Sequence, residues 1–192
     1  MNYKAVFVDR DGTINVDGPY LSDPANFQMY PGVGEGIKKL KDQGFKVIVI
    51  TNQSGIGRGY FTEKELTEIH ERMKAEFRKF NTDVDDIYYC PHHPDANCDC
   101  RKPKTKLFEM AIKEHCVDIK KSYMMGDKMQ DMEAGKKVGI KTILIPVSNE
   151  SREHELSKKI RGCKPDYVAR NFTEAVDWIS NMDNAIRKRK ER

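Results

Sequence analysis

VFVDRDGTIN, residues 6–15, carries an apolar, β-favouring run straight into Asp9 and Asp11, which stand two residues apart with Gly12 behind them. The first half has the composition of a buried strand. The second half crowds two like charges at the strand's end, which is unfavourable unless a cation or a set of donors neutralises them. A single Asp after a strand is an ordinary turn or helix-capping residue. The functional reading therefore depends on whether the rest of the chain brings cations, donors and further carboxylates to the same place.

Working outward, apolar runs at 4–8, 45–51, 86–89, 122–125, 141–145 and 166–169 predict strands. Helical patterns fill about 33–43, 62–80, 104–116, 129–138, 150–161 and 172–187. Thr62 followed by Glu65 is a capping-box start, and Gly44 is a C-terminal stop. Strand and helix in alternation predict an α/β chain, a Rossmann-like three-layer sandwich whose central sheet is mostly parallel. One long helix fills the gap between the second and third strands, so no large cap domain is expected. With 192 residues, no repeat and no low-complexity linker, the chain reads as one domain, 1–192.

Composition bounds the classes of function. Apolar residues make up 38% and charged residues 33%, with eight Phe and eight Tyr, so the chain is charged but has the material for a core. No segment approaches the roughly 18 apolar residues of a membrane span. The start, MNYKAVFVDR, meets charge too early for a signal peptide, which points to the cytoplasm. The net charge of +4 owes much to IRKRKER at the end, read as a frayed, solvated tail from about residue 187 and not as a nucleic-acid contact. Of five cysteines, three lie in CPHHPDANCDC, residues 90–100, where clustering in a reducing compartment suggests a metal and not disulfides. Cys116 and Cys163 stand apart and receive no role, and His70, His115 and His154, in helical patterns, are expected at the surface.

In a parallel sheet, ligands bind beyond the carboxyl ends of the strands, where strand order reverses. Asp9, Asp11 and Gly12 follow the first predicted strand, Thr51 to Gly55 the second, and Gly126, Asp127 and Lys128 the fourth, while Arg101 and Lys102 precede a long helix. Three carboxylates suit a hard divalent cation such as Mg²⁺. A lysine, an arginine, a threonine hydroxyl and glycine-rich amides suit a phosphate. A carboxylate can attack phosphorus once neighbouring cations offset the repulsion, so the collection points to phosphoryl transfer.

DRDGT (9–13), TNQSG (51–55), RKP (101–103) and GDKMQD (126–131) occur in that order and resemble the four motifs of the haloacid dehalogenase-like phosphatases, the DxDGT form being the specific one. DRDGTIN, VDGPYL, VIVITNQSGIGRGYFTE, YYCPHHP, CDCRKP and YMMGDKMQDMEAG together resemble the D-glycero-D-manno-heptose 1,7-bisphosphate 7-phosphatases, relatives of the histidinol-phosphate phosphatases, from about residue 3 to residue 147. The resemblance implies that Asp9 is the nucleophile and that Asp11 protonates the leaving oxygen and then deprotonates water. Crowding of like charges would keep a proton on the second carboxyl group. It implies Mg²⁺ held by the Asp9 carboxylate, the Asp11 backbone carbonyl and Asp127. It assigns Thr51 and Lys102 to the phosphoryl oxygens, and Arg101 to the rest of the substrate. Asn52, Gln53, Ser54 and Lys128 are further substrate-binding candidates, as are Asp17 and Tyr20 of DGPY. Asp131, four residues after Asp127, is read as orienting Lys128 or a water, or as a simple first-turn carboxylate. Arg10 is read as pointing away from the reacting set.

In the cysteine stretch, Cys90 and His92 form one pair and Cys98 and Cys100 another, five residues apart, a Cys₃His set for structural Zn²⁺ with no open position. His93 is an alternative to His92, which the family's C-x-H spacing favours. The insertion between the pairs is shorter than in many members, which bears on the rim of the pocket and hence on the substrate. The expected protein is thus a cytoplasmic, monomeric phosphatase of heptose bisphosphate for nucleotide-activated heptose, with histidinol phosphate as the alternative substrate. A zinc-binding nucleic-acid module is the rival from another class, supported by a pI near 8.7 but not by clustered carboxylates.

Overall fold

The computed structural model describes residues 2–18, 20–157 and 163–190. Its strands are β1 (Ala5–Val8), β2 (Lys46–Asn52), β3 (Asp86–Cys90), β4 (Tyr123–Gly126), β5 (Lys141–Leu144) and β6 (Tyr167–Val168). Its helices are α1 (Val33–Asp42), α2 (Ser54–Gly57), α3 (Glu63–Arg78), α4 (Lys106–Glu114), α5 (Met129–Val138), α6 (Asn149–Ser157) and α7 (Phe172–Lys190). The strands form one parallel sheet in the order β3-β2-β1-β4-β5-β6, with Phe7 beside Ile48 and Met124 in register. Order reverses between β1 and β4, so the chain leaving β1 at Asp9 enters the switch-point crevice at the centre of the sheet.

Strand alternation divides the core between two faces. Val6, Val8, Val47 and Val49 pack with Ile37 and Leu40 of α1, Ile69, Met73 and Phe77 of α3, and Val176 and Ile179 of α7. Ala5, Phe7, Ile48 and Ile50 face the other way, onto Leu107 and Phe108 of α4 and Met132 of α5. The Phe7 and Phe108 rings sit 5.2 Å apart, and burying each contributes roughly 2 kcal/mol. Both faces are covered, which fixes the sheet as the rigid base of whatever its edge carries.

Local signals behave as their chemistry requires. Thr62 Oγ1 accepts from Glu65 N at 3.3 Å while Thr62 N donates to Glu65 Oε2 at 2.6 Å, closing the capping box of α3. Gly44, with φ of +82°, follows α1 and donates to Lys41 O. Three details differ from the sequence reading. Residues 54–57 form the short helix α2, which carries no periodic signal because it is four residues long and half glycine. α7 continues to Lys190, so the basic end is helical where fraying was expected from about 187. α6 spans Asn149–Ser157, and the expected continuation to 161 lies outside the described residues. Between β2 and β3 lie only α2 and α3, and among the described residues the sheet carries no large cap. Among the described residues no helix is long and apolar enough to cross a membrane.

Candidate active site

Asp9 continues β1, its N–H bonded to Met125 O at 2.9 Å, so β1 and β4 together hold its backbone. Beyond it the chain turns sharply, with Thr13, Ile14 and Asn15 N–H groups all directed at Arg10 O. Gly12 adopts φ of +84°, and a Cβ there would collide with the Asp127 carboxylate. The glycine is what lets the first loop approach the fourth strand's acid.

Asp9, Asp127 and Asp131 each present an oxygen within 4.8 Å of the others, and all three are buried. Lys102 Nζ lies 2.7 Å from Asp9 Oδ1, 2.7 Å from Asp131 Oδ1, and donates to Ile50 O at 2.6 Å. Burial works against the Lys102 ammonium, but the Asp131 and Asp9 carboxylates outweigh it and hold its pKa above the usual range. One lysine cannot satisfy three acids. Burial first, then Asp9 and Asp131, push Asp127 up to about 8, and its Oδ1 has no hydrogen-bond partner among the described residues. Burial and Asp9 also raise Asp131 to about 6 despite Lys102. A cluster of oxygen donors short of positive charge, with one buried oxygen unpartnered, fits a hard divalent cation.

Asp11 takes a different environment from the one expected. Arg10 Nε and Nη2 donate to Asp11 Oδ1 at 3.1 and 2.9 Å, and Nη2 to Oδ2 at 2.8 Å. Asn15 Nδ2 donates to Oδ1 at 3.0 Å, and Gln53 Nε2 to Oδ2 at 2.8 Å. Burial raises the Asp11 pKa, but Arg10 and the two amides outweigh it and hold the carboxyl group below the usual range. Crowding therefore raises Asp127 and Asp131 and not Asp11. Arg10, read as pointing away, instead folds back and is 1% exposed. Alternation along a strand does not apply once the strand has ended.

The second strand's end holds Thr51, Asn52, Gln53 and Ser54. Thr51 is buried, and its Oγ1 accepts from Gln53 Nε2 at 2.9 Å, so Gln53 bridges Thr51 and Asp11. Asn52 clamps the Lys102 peptide from both sides, accepting from Lys102 N at 3.0 Å and donating to Lys102 O at 3.2 Å. Ser54 opens α2 at the same strand end. Lys128 Nζ lies 3.1 Å from Asp17 Oδ2 and 3.5 Å from Asp127 Oδ2, tying the DGPY loop to the cluster. Tyr20 instead meets Tyr60, ring centroids 4.5 Å apart, at the exposed surface. Arg101 is half-buried with Nη1 unpartnered. On the far flank, Gly12, Thr13, Tyr30 and Phe172 border a cavity of about 370 Å³.

Sequence reasoning missed the depth of Asp131, which is fully buried, pairs with Lys102 and accepts from Lys128 N at 3.1 Å. It also missed Asn15, whose only sequence signal is its place four residues after Asp11. His70, expected at the surface, is 8% exposed. His115 is half-buried against Asp86, 3.0 Å away, and His154 is exposed.

Cys90 at the end of β3 converges with His92, Cys98 and Cys100 of the loop beyond it. His92 Nδ1 lies 3.1 Å from Cys100 Sγ and 3.6 Å from Cys90 Sγ, and the sulfurs lie 3.1 to 3.6 Å apart. A tetrahedral site with bonds of about 2.3 Å has edges of about 3.8 Å, so the set is close to Zn²⁺ geometry. His93 Nδ1 instead accepts from Asp95 N at 3.2 Å, which leaves His92 as the fourth donor. The loop is docked on the second motif: Gln53 N donates to Cys90 O, and Gly57 N to Pro91 O, both at 2.8 Å.

The comparisons agree with this geometry. A family model described as HAD-hydrolase-like matches residues 99–175. A D-glycero-beta-D-manno-heptose-1,7-bisphosphate 7-phosphatase of Haemophilus ducreyi is 38% identical over 187 residues, covering 94% of this chain and 100% of that protein. A protein of the same name from Helicobacter pylori is 40% identical over 178 residues, covering 92% of this chain and 97% of its own length. Among solved structures, the D,D-heptose 1,7-bisphosphate phosphatase of B. bronchiseptica, complexed with magnesium and phosphate, superposes with a TM-score of 0.84 at 27% identity, covering 93% of this chain and 99% of that one. With a match of that extent and a phosphatase's arrangement of carboxylates and lysine, the chain belongs to the D-glycero-D-manno-heptose-1,7-bisphosphate 7-phosphatases, phosphoric monoester hydrolases of the haloacid dehalogenase-like family.

Proposed function

We propose that this chain removes the 7-phosphate of D-glycero-D-manno-heptose 1,7-bisphosphate through a phospho-aspartate on Asp9, in the synthesis of nucleotide-activated heptose. The relatives' names support the β anomer. The observation that carries the reading is the buried Asp9–Lys102–Asp131 contact beside an Asp127 oxygen without a partner. Asp9 attacks phosphorus in line. Asp11, held below the usual range by Arg10 and two amides in the free protein, takes up a proton from solvent as the phosphate's charge arrives beside it, gives that proton to the departing sugar oxygen, then takes one from the water that cleaves the phospho-aspartate. Lys102 and Thr51 bind phosphoryl oxygens whose charge is spread in the transition state. Lys128, with Asp17, and Arg101 flank the opening and take the rest of the substrate, with Tyr20 and Ser54 at its rim.

The Asp9 and Asp127 carboxylates and the Asp11 backbone carbonyl would hold Mg²⁺, with Asp131 orienting Lys102 beside them. When bound, the ion neutralises the charge shared by phosphate and carboxylates. Cys90, His92, Cys98 and Cys100 would hold a structural Zn²⁺ that fixes the loop delivering Arg101 and Lys102. Three metal-ligating thiolates suit a reducing compartment, so we place the enzyme in the cytoplasm, working as a monomer. The carboxylate cluster disfavours a nucleic-acid module, because it would repel a phosphate backbone.

Phosphate release from α- and β-heptose 1,7-bisphosphate and from histidinol phosphate, measured side by side with added Mg²⁺, tests the reading. A β-heptose preference is the expected result. Preference for histidinol phosphate would overturn the substrate while leaving the mechanism, and no release from any ester would overturn both.

A further inference from the structure

Arg10 is the largest fully buried side chain among the described residues, and the mechanism above gives it no task. A buried guanidinium is costly unless it is paired and hydrogen-bonded. Arg10 directs its pairing at one carboxylate, gripping Asp11 through Nε and Nη2 at 2.8 to 3.1 Å. The loop is also wound around this residue: three successive N–H groups bond to its carbonyl and bring Asn15 back onto Asp11 Oδ1. A carboxyl group left to itself rotates about two bonds, whereas a planar fork fixes both its place and its plane.

His70 of α3 lies near enough to Arg10 for the guanidinium's charge to act on its imidazole. Arg10 Nη1 and His70 Nε2 are both buried, and neither has a hydrogen-bond partner. Nη1 is only a donor, while Nε2 of a neutral imidazole can accept. Burial first and the nearby Arg10 second keep His70 neutral. An orphan donor and an orphan acceptor in one buried neighbourhood are complementary in character.

We propose that Arg10, seated by His70, is the positioning residue that fixes the Asp11 carboxyl group for its proton transfers. Asp11 must come within about 2.6 to 3.2 Å of the leaving oxygen to act, and a small misplacement lowers the rate of that step without weakening substrate binding. Gln53 completes the arrangement, since the same amide nitrogen that donates to Asp11 also donates to Thr51 at the phosphoryl site.

The inference rests on the phosphatase reading, and the test separates the two. If the unaltered protein releases phosphate from no ester, that reading fails; if it is active, the variants judge this inference alone. Arg10→Lys, His70→Leu and His70→Gln are assayed on the heptose bisphosphate and on 4-nitrophenyl phosphate, whose leaving group departs without a proton. Arg10→Lys is expected to lower kcat on the sugar ester by about 10²-fold with KM within about threefold. Single-turnover release of nitrophenolate, which reports attack by Asp9 alone, is expected to fall less than about threefold. His70→Leu moves the same way by about tenfold, and His70→Gln, which keeps an acceptor toward Arg10, loses less. Equal losses on both esters, a loss carried by KM, or unchanged kcat in folded Arg10→Lys and His70→Leu would each overturn the proposal. If Arg10→Lys does not fold, the ordering of the two His70 variants decides: His70→Leu losing more than His70→Gln in kcat supports the proposal, and equal values overturn it.

Discussion

Asp9, Asp127 and Asp131 leave β1, β4 and the first turn of α5 with exposures of 5%, 5% and 0%, whereas Cys98, His92 and Cys100 stand half-buried or exposed on a loop of eleven residues. In the first region the sheet forces like charges together, and Asp127 responds by rising to about 8. The fold holds the donors, and a cation would relieve them. In the second region Cys90 and Pro91 are tied to Gln53 and Gly57, but the donors from His92 onward are half-buried or exposed, so an ion there would contribute folding energy to the loop. Both regions meet in Lys102, which sits two residues after Cys100 and points into the carboxylates. The difference amounts to a proposed division of labour: the sheet fixes Asp9, the proposed nucleophile, and the metal-fitted loop would fix the Lys102 ammonium beside it.

The largest expected effect tests that division directly. Asp9→Asn should lower phosphate release by on the order of 10³-fold or more, because the proposed nucleophile is lost outright. Bound zinc, measured by elemental analysis, should stay at its original level. Zinc lost together with activity would break the separation between the regions. Cys98→Ser should do the reverse, losing zinc while the far-UV signal of the sheet persists. Its kcat should fall roughly 10- to 100-fold as Arg101 and Lys102 lose their anchor. Full activity in a zinc-free variant would show that the loop does not place Lys102.

How much of this was written in the sequence follows from the range of each interaction. The six strands were legible because their signal is local: each is a short apolar run closed by polar or turn residues. Asp9, Thr51, Lys102 and Asp127 were legible because each belongs to a motif at a strand end or just before a helix, and the cysteine set because its pairs are close in sequence. Arg10 was not, because its side chain's direction is set by the turn that winds around its carbonyl. Asp131 was read as a helper because its burial comes from Lys102, 29 residues away, and no local pattern reports that. Asn52 sat inside a motif read for substrate, yet its amide is occupied by the Lys102 peptide, 50 residues on. His70 looked solvated because α3 is polar over most of its length, and only the fold reveals which turn faces Arg10.

His70 sharpens the comparison with a pH effect confined to the scaffold. Its folded pKa is lowered from 6.5 to about 3, by burial first and Arg10 second, so the folded state binds fewer protons than the unfolded state between those values. The corresponding stability is complete above about pH 6.5 and is lost progressively as pH falls toward 3. At pH 5 the loss should be about 2 kcal/mol, before most carboxylates begin to titrate. Urea melts of the unaltered protein and His70→Gln at pH 7.5 and 5 measure it: the gap between the pH values should shrink in the variant. An unchanged gap would place His70 in water and dissolve the contrast drawn for this face of the sheet.

The smallest effect concerns the one side chain that joins the two regions. Asn52 belongs to β2, yet both of its amide bonds go to the Lys102 backbone, so it is the point at which the sheet holds the end of the loop. In Asn52→Ala the Lys102 N–H and C=O lose those partners, but Asn52 is only half-buried and water can replace part of what is lost. Stability should therefore fall by about 1 kcal/mol. Zinc should remain, since Asn52 meets the ligand Cys90 through the β2–β3 backbone ladder, which alanine keeps, while kcat falls by roughly tenfold because the Lys102 ammonium is no longer aimed by its own peptide. That combination, zinc kept and rate lost, separates the two anchors of Lys102. If the metal loop alone aims it, Asn52→Ala keeps both zinc and rate; if the sheet alone does, Cys98→Ser keeps the rate; partial loss in both means that Lys102 is placed by two regions built in opposite ways.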